Sequence, residues 1–387
     1  YGDHRDLHLS IRRQRQMCIR DSSGANSSVA VADAATYIYQ IANNFARPCV
    51  INASVGDYLG SHDGEDLQAQ LIDNLQIFSR SFVCAVGNAG NLDIHLSYPI
   101  SVIDTNFTWF TSGGGDIYIQ TWADTNNFNS AKLAIGCTKD GTFIDKGRTS
   151  FTNFQSNFNL FTTDSIMNSN GQRMARIVRY GSIQGSACSM EYIITPDSAA
   201  GYDYSLQMTG GGLFHCWSFD MYSNPLPSVL VYPKILFYKS PDTTHTVCSS
   251  FQCSDQTICV GNYVNRSSWM SYAGTRTYDT TVTAGDIMYN SSVGPTRDGR
   301  IRPDITAPGA NDLSCGVISS LPSIIASAPE YVGVGGYHVV GGGSSSSSPV
   351  VAGSAALYLQ LNPFANPFQI RNAVMNCART DNFTGIV

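Results

Sequence analysis

The sequence predicts an α/β chain: a parallel sheet flanked by helices and interrupted by an inserted antiparallel β-sandwich domain. Three observations point there. Residues 29–86 alternate helix-period and continuous apolar patterns, the logic of a parallel sheet with helical crossovers. Residues 93–237 change to short alternating segments broken by Gly, Asn, Asp and Ser. Helical, Gly/Pro-punctuated patterning then returns after residue 248.

Taken in order, residues 29–45 carry Ala32, Ala35, Ile38, Ile41, Ala42 and Phe45 at helical spacing, and Arg47-Pro48 stops the helix. The apolar run 49–54 reads as a buried strand. A Gly-rich loop follows at 55–64, then a helix over 67–79 and a strand over 82–86. In the middle region, Ile117-Tyr118-Ile119-Gln120-Thr121-Trp122 shows the alternation of a strand with one buried face. Two helices close the chain, one over 350–361 ended by Asn362-Pro363, the other over 367–377. The resulting division is 23–91 and 246–387 for the α/β domain and 92–245 for the insert.

Composition bounds the function. With 43% hydrophobic and 13% charged residues among 387, the chain can bury a large core, which excludes disorder, collagen and a lone coiled coil. Net charge is -6, without a concentrated basic face, so no nucleic-acid partner is expected. No apolar run reaches the roughly 18 residues that a membrane span needs. Eleven cysteines include Cys248, Cys253 and Cys259, which lack paired C-x-x-C spacing, so no metal site is expected.

Both ends read as cuts. Residues 1–22 hold five Arg and three Asp without apolar periodicity, leaving the body at -8, and 15–22 resembles translated sequencing-adaptor sequence; this segment is set aside as a non-native tail. The chain stops at Val387 just after a predicted helix.

Three segments carry chemistry. Gly341-Gly342-Gly343 and five serines, Ser344 to Ser348, run into Pro349-Val350-Val351-Ala352-Gly353 and a small-residue apolar helix fit for a core. A flexible linker would not continue so. The serines therefore sit at a buried helix N-terminus, where unpaired N–H groups and the positive dipole end stabilise a developing oxyanion. Ala85-Val86-Gly87-Asn88-Ala89-Gly90 sets an amide at a glycine-flanked strand end, and residues 294–309 form a long Gly/Pro-rich loop.

These segments resemble the subtilisin-like serine protease family. Gly343, Pro349, Val351, Ala352 and Gly353 match its G-T-S-x-x-x-P-x-V-A-G, with Ser344 for the usual Thr, which implies Ser345 as nucleophile. Ala85, Gly87, Asn88 and Gly90 match A-x-G-N-x-G, implying Asn88 as oxyanion donor. Residues 294–309 match G-P-T-x-D-G-R-x-K-P-D-I-x-A-P-G, with Arg302 for Lys, a structural loop. Residues 50–56 are similar to the V-I-N-x-S-x-G cleft strand. By that resemblance Ser54, Val55 and Gly56, with Ala85, Val86 and Gly87, border the substrate, the first group pairing with a peptide as an added strand. The resemblance covers 23–91 and 246–387 and implies a subtilisin-like sheet, with an insert placed like the jelly-roll-like sandwiches of some bacterial members.

The family's triad runs Asp, His, Ser along the chain, and neither H-G-T-H nor D-[ST]-G precedes residue 49. His62 and His338, the histidines nearest the matching segments, read as structural. The expectation is a serine endopeptidase fragment acting on protein or peptide, inactive alone because a serine without a base is a poor nucleophile. The alternative is a pseudoprotease, or a surface protein that binds peptide or glycan. The family implies secretion or a cell-surface location and no organic cofactor; calcium is often bound in it, with no site assignable here.

Overall fold

In the computed structural model, residues 27–380 are described, apart from 101–102, 127–129, 154–157, 159, 199–200 and 223–225. The tail 1–22 and the last residues, 381–387, lie outside them. Helix α1 (Ser27–Asn44) leads into strand β1 (Cys49–Ala53), helix α2 (Leu67–Leu75) and strand β2 (Arg80–Ala85). Tyr39 anchors α1 to the sheet: it is buried, its hydroxyl donates to Ser81 O at 2.9 Å, and the Arg80 guanidinium lies over its ring.

Helix α2 starts as its sequence demands, with the Asp66 carboxylate accepting from the Gln68 and Ala69 N–H groups. It stops at Leu75, four residues short of the expected 79. The reason is tertiary: the Gln76 side chain turns inward to accept from Phe82 N–H at 3.0 Å, and Ser79 adopts φ 68 to start β2 at Arg80.

Strand β3 (Ile258–Val264) pairs parallel to β2, and β4 (Ile305–Ala310) parallel to β3, giving the order β1-β2-β3-β4. Ile258 sits beside Val83, so the chain leaves the sheet after β2 and returns to the neighbouring position. Between these points it builds two antiparallel sheets. One runs His95–Ile100, Gly212–Trp217, Ile117–Asp124, Ala187–Pro196, Arg173–Gln184, Phe161–Met167; the other orders Met221–Tyr222, Asn106–Thr111, Tyr202–Thr209, Lys132–Lys139, Asp145–Arg148. They share one hydrophobic cluster, with Ile117, Ile119 and Ile177 from the first and Phe110, Ile135 and Leu206 from the second. Ile117 and Ile119 are buried while Tyr118 between them is half exposed, as the alternation requires.

After β4, a pair of strands (Asp312–Cys315 and His338–Gly341) enclosing a short helix (Leu321–Ser327) leads to helix α3 (Ser344–Leu361), then α4 (Pro367–Asn376), opened by a capping box of Asn366 and Gln369. Val351, Ala355 and Leu359, one turn apart, pack with Val83 and Val260 of the parallel sheet. Helix α3 begins six residues before the sequence pattern at 350, and the serines form its first turns. Ser347 explains why a serine run is helical here: buried, its hydroxyl donates to Ala307 O of β4 at 2.9 Å.

The loop 294–309 acts as a fastening. Arg297 pairs with Asp63 and with Asp124, and Arg302 pairs with Asp304 while its Nε donates to Gln252 O at 3.0 Å. Arg302 and Asp304 are both buried, so each charge depends on the other.

Candidate active site

Three chain segments converge at the N-terminus of α3: the end of β1, the turn after β2, and the serine run. Ser344, Ser347 and Ser348 are buried, Ser346 is half-buried, and Ser345 is exposed. A helix start cannot turn five successive side chains to one side, so packing against the sheet singles out one serine for solvent.

Asn88 is the first exposed residue after β2; Ala85, Val86 and Gly87 before it are buried. Its amide orientation is set by its neighbours: Oδ1 accepts from Ser344 N–H at 2.9 Å and lies 3.2 Å from the Ser344 hydroxyl. With its oxygen committed to the helix, the Asn88 NH2 is the end left to donate. Ser344 Oγ also accepts from Gly87 N–H at 3.1 Å and lies 3.0 Å from Gly87 O. Behind the turn, Tyr58 OH accepts from Asn88 N–H at 2.6 Å and Ser292 Oγ from Ala89 N–H at 2.9 Å. Gly343 must be glycine: its φ is 126, and an added Cβ would come within 3.1 to 3.4 Å of the Asn88 carboxamide.

Pro349 gives Ser54 its place. Inside α3 it has no N–H to donate back to the carbonyl of Ser345, four residues earlier. Ser54 takes over, donating from Oγ to Ser345 O at 3.0 Å. A polar chain supports it: Asn52 Nδ2 donates to Ser54 Oγ at 3.1 Å, and Ser348 Oγ donates to Asn52 Oδ1. The β1 end is thus tied to the residue carrying the exposed hydroxyl.

The other residues expected at the cleft are placed as follows. Val55 and Gly56 are exposed, but Val55 O already accepts from Gln252 Nε2 at 2.8 Å, and Gly56 lies against Cys248 and Gln252. Val86 N–H donates to Val260 O at 3.0 Å, and Val86 O accepts from Cys248 N–H at 2.9 Å. Ala85 to Gly87 are therefore committed to the protein's own hydrogen bonds. Sequence reasoning missed Tyr58 and Ser292, because nothing local to either shows that they meet the Asn88 turn.

No imidazole is hydrogen-bonded to Ser345 among the described residues. His62 is fully buried, stacked on Trp217 at 3.9 Å, with Nε2 2.9 Å from Tyr58 O; burial pulls its pKa down to about 3. His338 is exposed, opposite Cys315 on an outer strand pair. Calcium finds no fitting cage in the acidic cavity lined by Asp63, Asp73, Asp255 and Asp298: Arg300 lines it too and pairs with Asp255 and Asp298, while Arg297 holds Asp63.

An exposed serine thus stands at a core helix N-terminus, with an amide fastened beside it and a parallel sheet behind. A model described as the Subtilase family matches residues 16–386, and the chain belongs to that family. An uncharacterized protein of Aquifex aeolicus, aq_aa18, is 42% identical over 101 residues, 26% of this chain and 44% of its own. The serine protease AprX of Bacillus subtilis is 38% identical over 86 residues, 22% of this chain and 19% of its own. The chain thus spans less than half the length of either curated relative. The solved structure of the Clostridium perfringens CspB protease matches with a TM-score of 0.66 at 17% identity, over 94% of this chain and 69% of that one. The fold is subtilisin-like.

Proposed function

We propose that this chain carries the nucleophile and oxyanion-binding half of a serine endopeptidase that cleaves proteins or peptides. The observation that carries the reading is Ser345, the exposed serine of the run, on the helix terminus to which Asn88 is bonded through Ser344. In the reaction the Ser345 oxygen attacks the scissile carbonyl carbon, its proton passes to a base, and the carbonyl oxygen becomes an oxyanion. The Ser345 N–H and the Asn88 NH2 donate to that oxygen. The leaving amine takes the proton, and water then hydrolyses the acyl-enzyme. Ser54, Val55 and Gly56 line one side of the substrate, while the buried Ala85 to Gly87 stand behind Asn88 and hold it in place. In subtilisin itself, removal of the oxyanion-hole Asn lowers kcat by about 10²–10³.

The base and its orienting carboxylate are not supplied by the described residues, since no imidazole there is bonded to Ser345. The chain by itself is proposed to be inactive, because a serine hydroxyl without a general base is a poor nucleophile at neutral pH. A second reading, a pseudoprotease that binds peptide or glycan, is favoured by the same observation. The antiparallel unit at 92–245 is assigned as a jelly-roll-like insertion between the halves 23–91 and 246–387 of the catalytic domain. By family habit we propose a location outside the cytoplasm, secreted or at the cell surface.

The experiment compares peptide and protein turnover by the chain and its Ser345→Ala variant, then by the complete gene product and the same variant. Equal, background rates for the first pair and loss of turnover in the second support the proposal. Serine-dependent turnover by the chain overturns its inactivity. An inert complete product that still binds peptide establishes the pseudoprotease.

A further inference from the structure

Three histidines with no role in the site described above meet where the antiparallel unit rejoins the chain. His95 opens the strand His95–Ile100, and His215 lies on the neighbouring strand Gly212–Trp217. Their register puts Trp217 opposite His95, so His215, two residues away, shares its face. His245 enters from the returning segment. One nitrogen from each of the three rings falls within 4.8 Å of the others.

Their hydrogen bonds orient these nitrogens. Asp242 Oδ1 lies 2.9 Å from His95 Nδ1 and also accepts from Thr244 N–H and Oγ1–H, so it is a carboxylate held as an acceptor. It accepts from His95 Nδ1–H, which leaves the His95 Nε2 lone pair pointing at His215 Nδ1, 3.0 Å away. Tetrahedral zinc with Zn–N bonds of about 2.0–2.1 Å sets its ligand nitrogens roughly 3.3 Å apart. A hydrogen bond between His95 and His215 would account for that pair alone. It would not account for His245 Nδ1, which is buried and has no hydrogen-bond partner. Nor would it account for the His245 backbone, a non-glycine residue held at φ 52.

We propose that His95, His215 and His245 bind one zinc ion, with Asp242 as the carboxylate that orients His95 and water in the fourth position. Zinc suits the donor set, three neutral imidazoles without a thiolate. The nearby Arg297 guanidinium is already matched by Asp63 and Asp124, so it does not leave an uncompensated charge facing the ion. The ion would fasten the entry strand of the antiparallel unit, the neighbouring strand Gly212–Trp217 and the returning segment to one another. The proposal uses no residue around Ser345 and stands apart from the protease reading.

The test uses the whole chain, stripped with a chelator and dialysed, then titrated with Zn2+ by calorimetry and with Co2+ by visible absorption. One equivalent of zinc, a tetrahedral Co2+ spectrum and a higher melting temperature with zinc are expected. His245→Asn, a substitution that tolerates positive φ, abolishes the stoichiometric binding. Asp242→Asn weakens it by about 10–100-fold, the cost of losing an outer-shell carboxylate. A folded wild-type chain that takes up no stoichiometric zinc overturns the proposal, and so does a His245→Asn variant that binds as tightly as wild type, since the ion then sits elsewhere.

Discussion

Ser344→Ala isolates the contact on which the Asn88 turn depends. Ser344 is fully buried, so water cannot replace its hydroxyl. After the change, Gly87 O keeps the Ser292 N–H at 3.1 Å, and Asn88 Oδ1 keeps the Ser344 N–H at 2.9 Å. Gly87 N–H keeps nothing: its acceptor at 3.1 Å was the Ser344 oxygen, and Gly87 is buried. One orphaned buried donor costs about 1–3 kcal/mol, and we expect ~2 kcal/mol. The assay is guanidinium unfolding of the whole chain at constant m, read by tryptophan fluorescence, with Ser346→Ala as control. Ser346 is half-buried and its side chain makes no hydrogen bond among the described residues, so its truncation should stay within about 0.5 kcal/mol of wild type. If the two variants share one midpoint, Ser344 does not hold the turn, and the account of how Asn88 is oriented fails with it.

Two further outcomes follow from the packing. Asp304→Asn leaves Arg302 buried without its counter-charge and weakens the pairing to Arg371, so destabilisation of about 3–5 kcal/mol is expected; a loss under ~1 kcal/mol would show that the 294–309 loop is not held by this pair. Alkylation of the native protein, mapped by mass spectrometry, should modify the exposed Cys315 and Cys377 and spare Cys248, whose thiol burial pushes up to about 12; rapid native labelling of Cys248 would contradict its place behind Gly56.

Much of this was legible before any coordinate. The helix and strand periods of 29–86 reappear as α1, β1, α2 and β2, with end shifts that follow from Gln76 and Ser79. Pro349 and the apolar stretch after it cannot belong to a linker, which makes the serine run a helix start, and α3 begins there. The exposed position of Ser345 accords with the motif spacing, and the family match confirms the membership that four ordered segments had implied.

Local pattern alone determined which stretches form helices and strands, because period and backbone propensity act over a few residues, while Ser345 was singled out by resemblance to the family motif. Only the tertiary structure decided what lies beside what. Ser54 reaches the Ser345 carbonyl across 291 positions because Pro349 left it without a donor, and Tyr58 and Ser292 support the Asn88 turn from two other segments. His95, His215 and His245 come from two strands and a returning loop, and no spacing rule joins them. Such meetings depend on sheet register and core packing, which are properties of the whole chain's burial and have no local signature in the sequence.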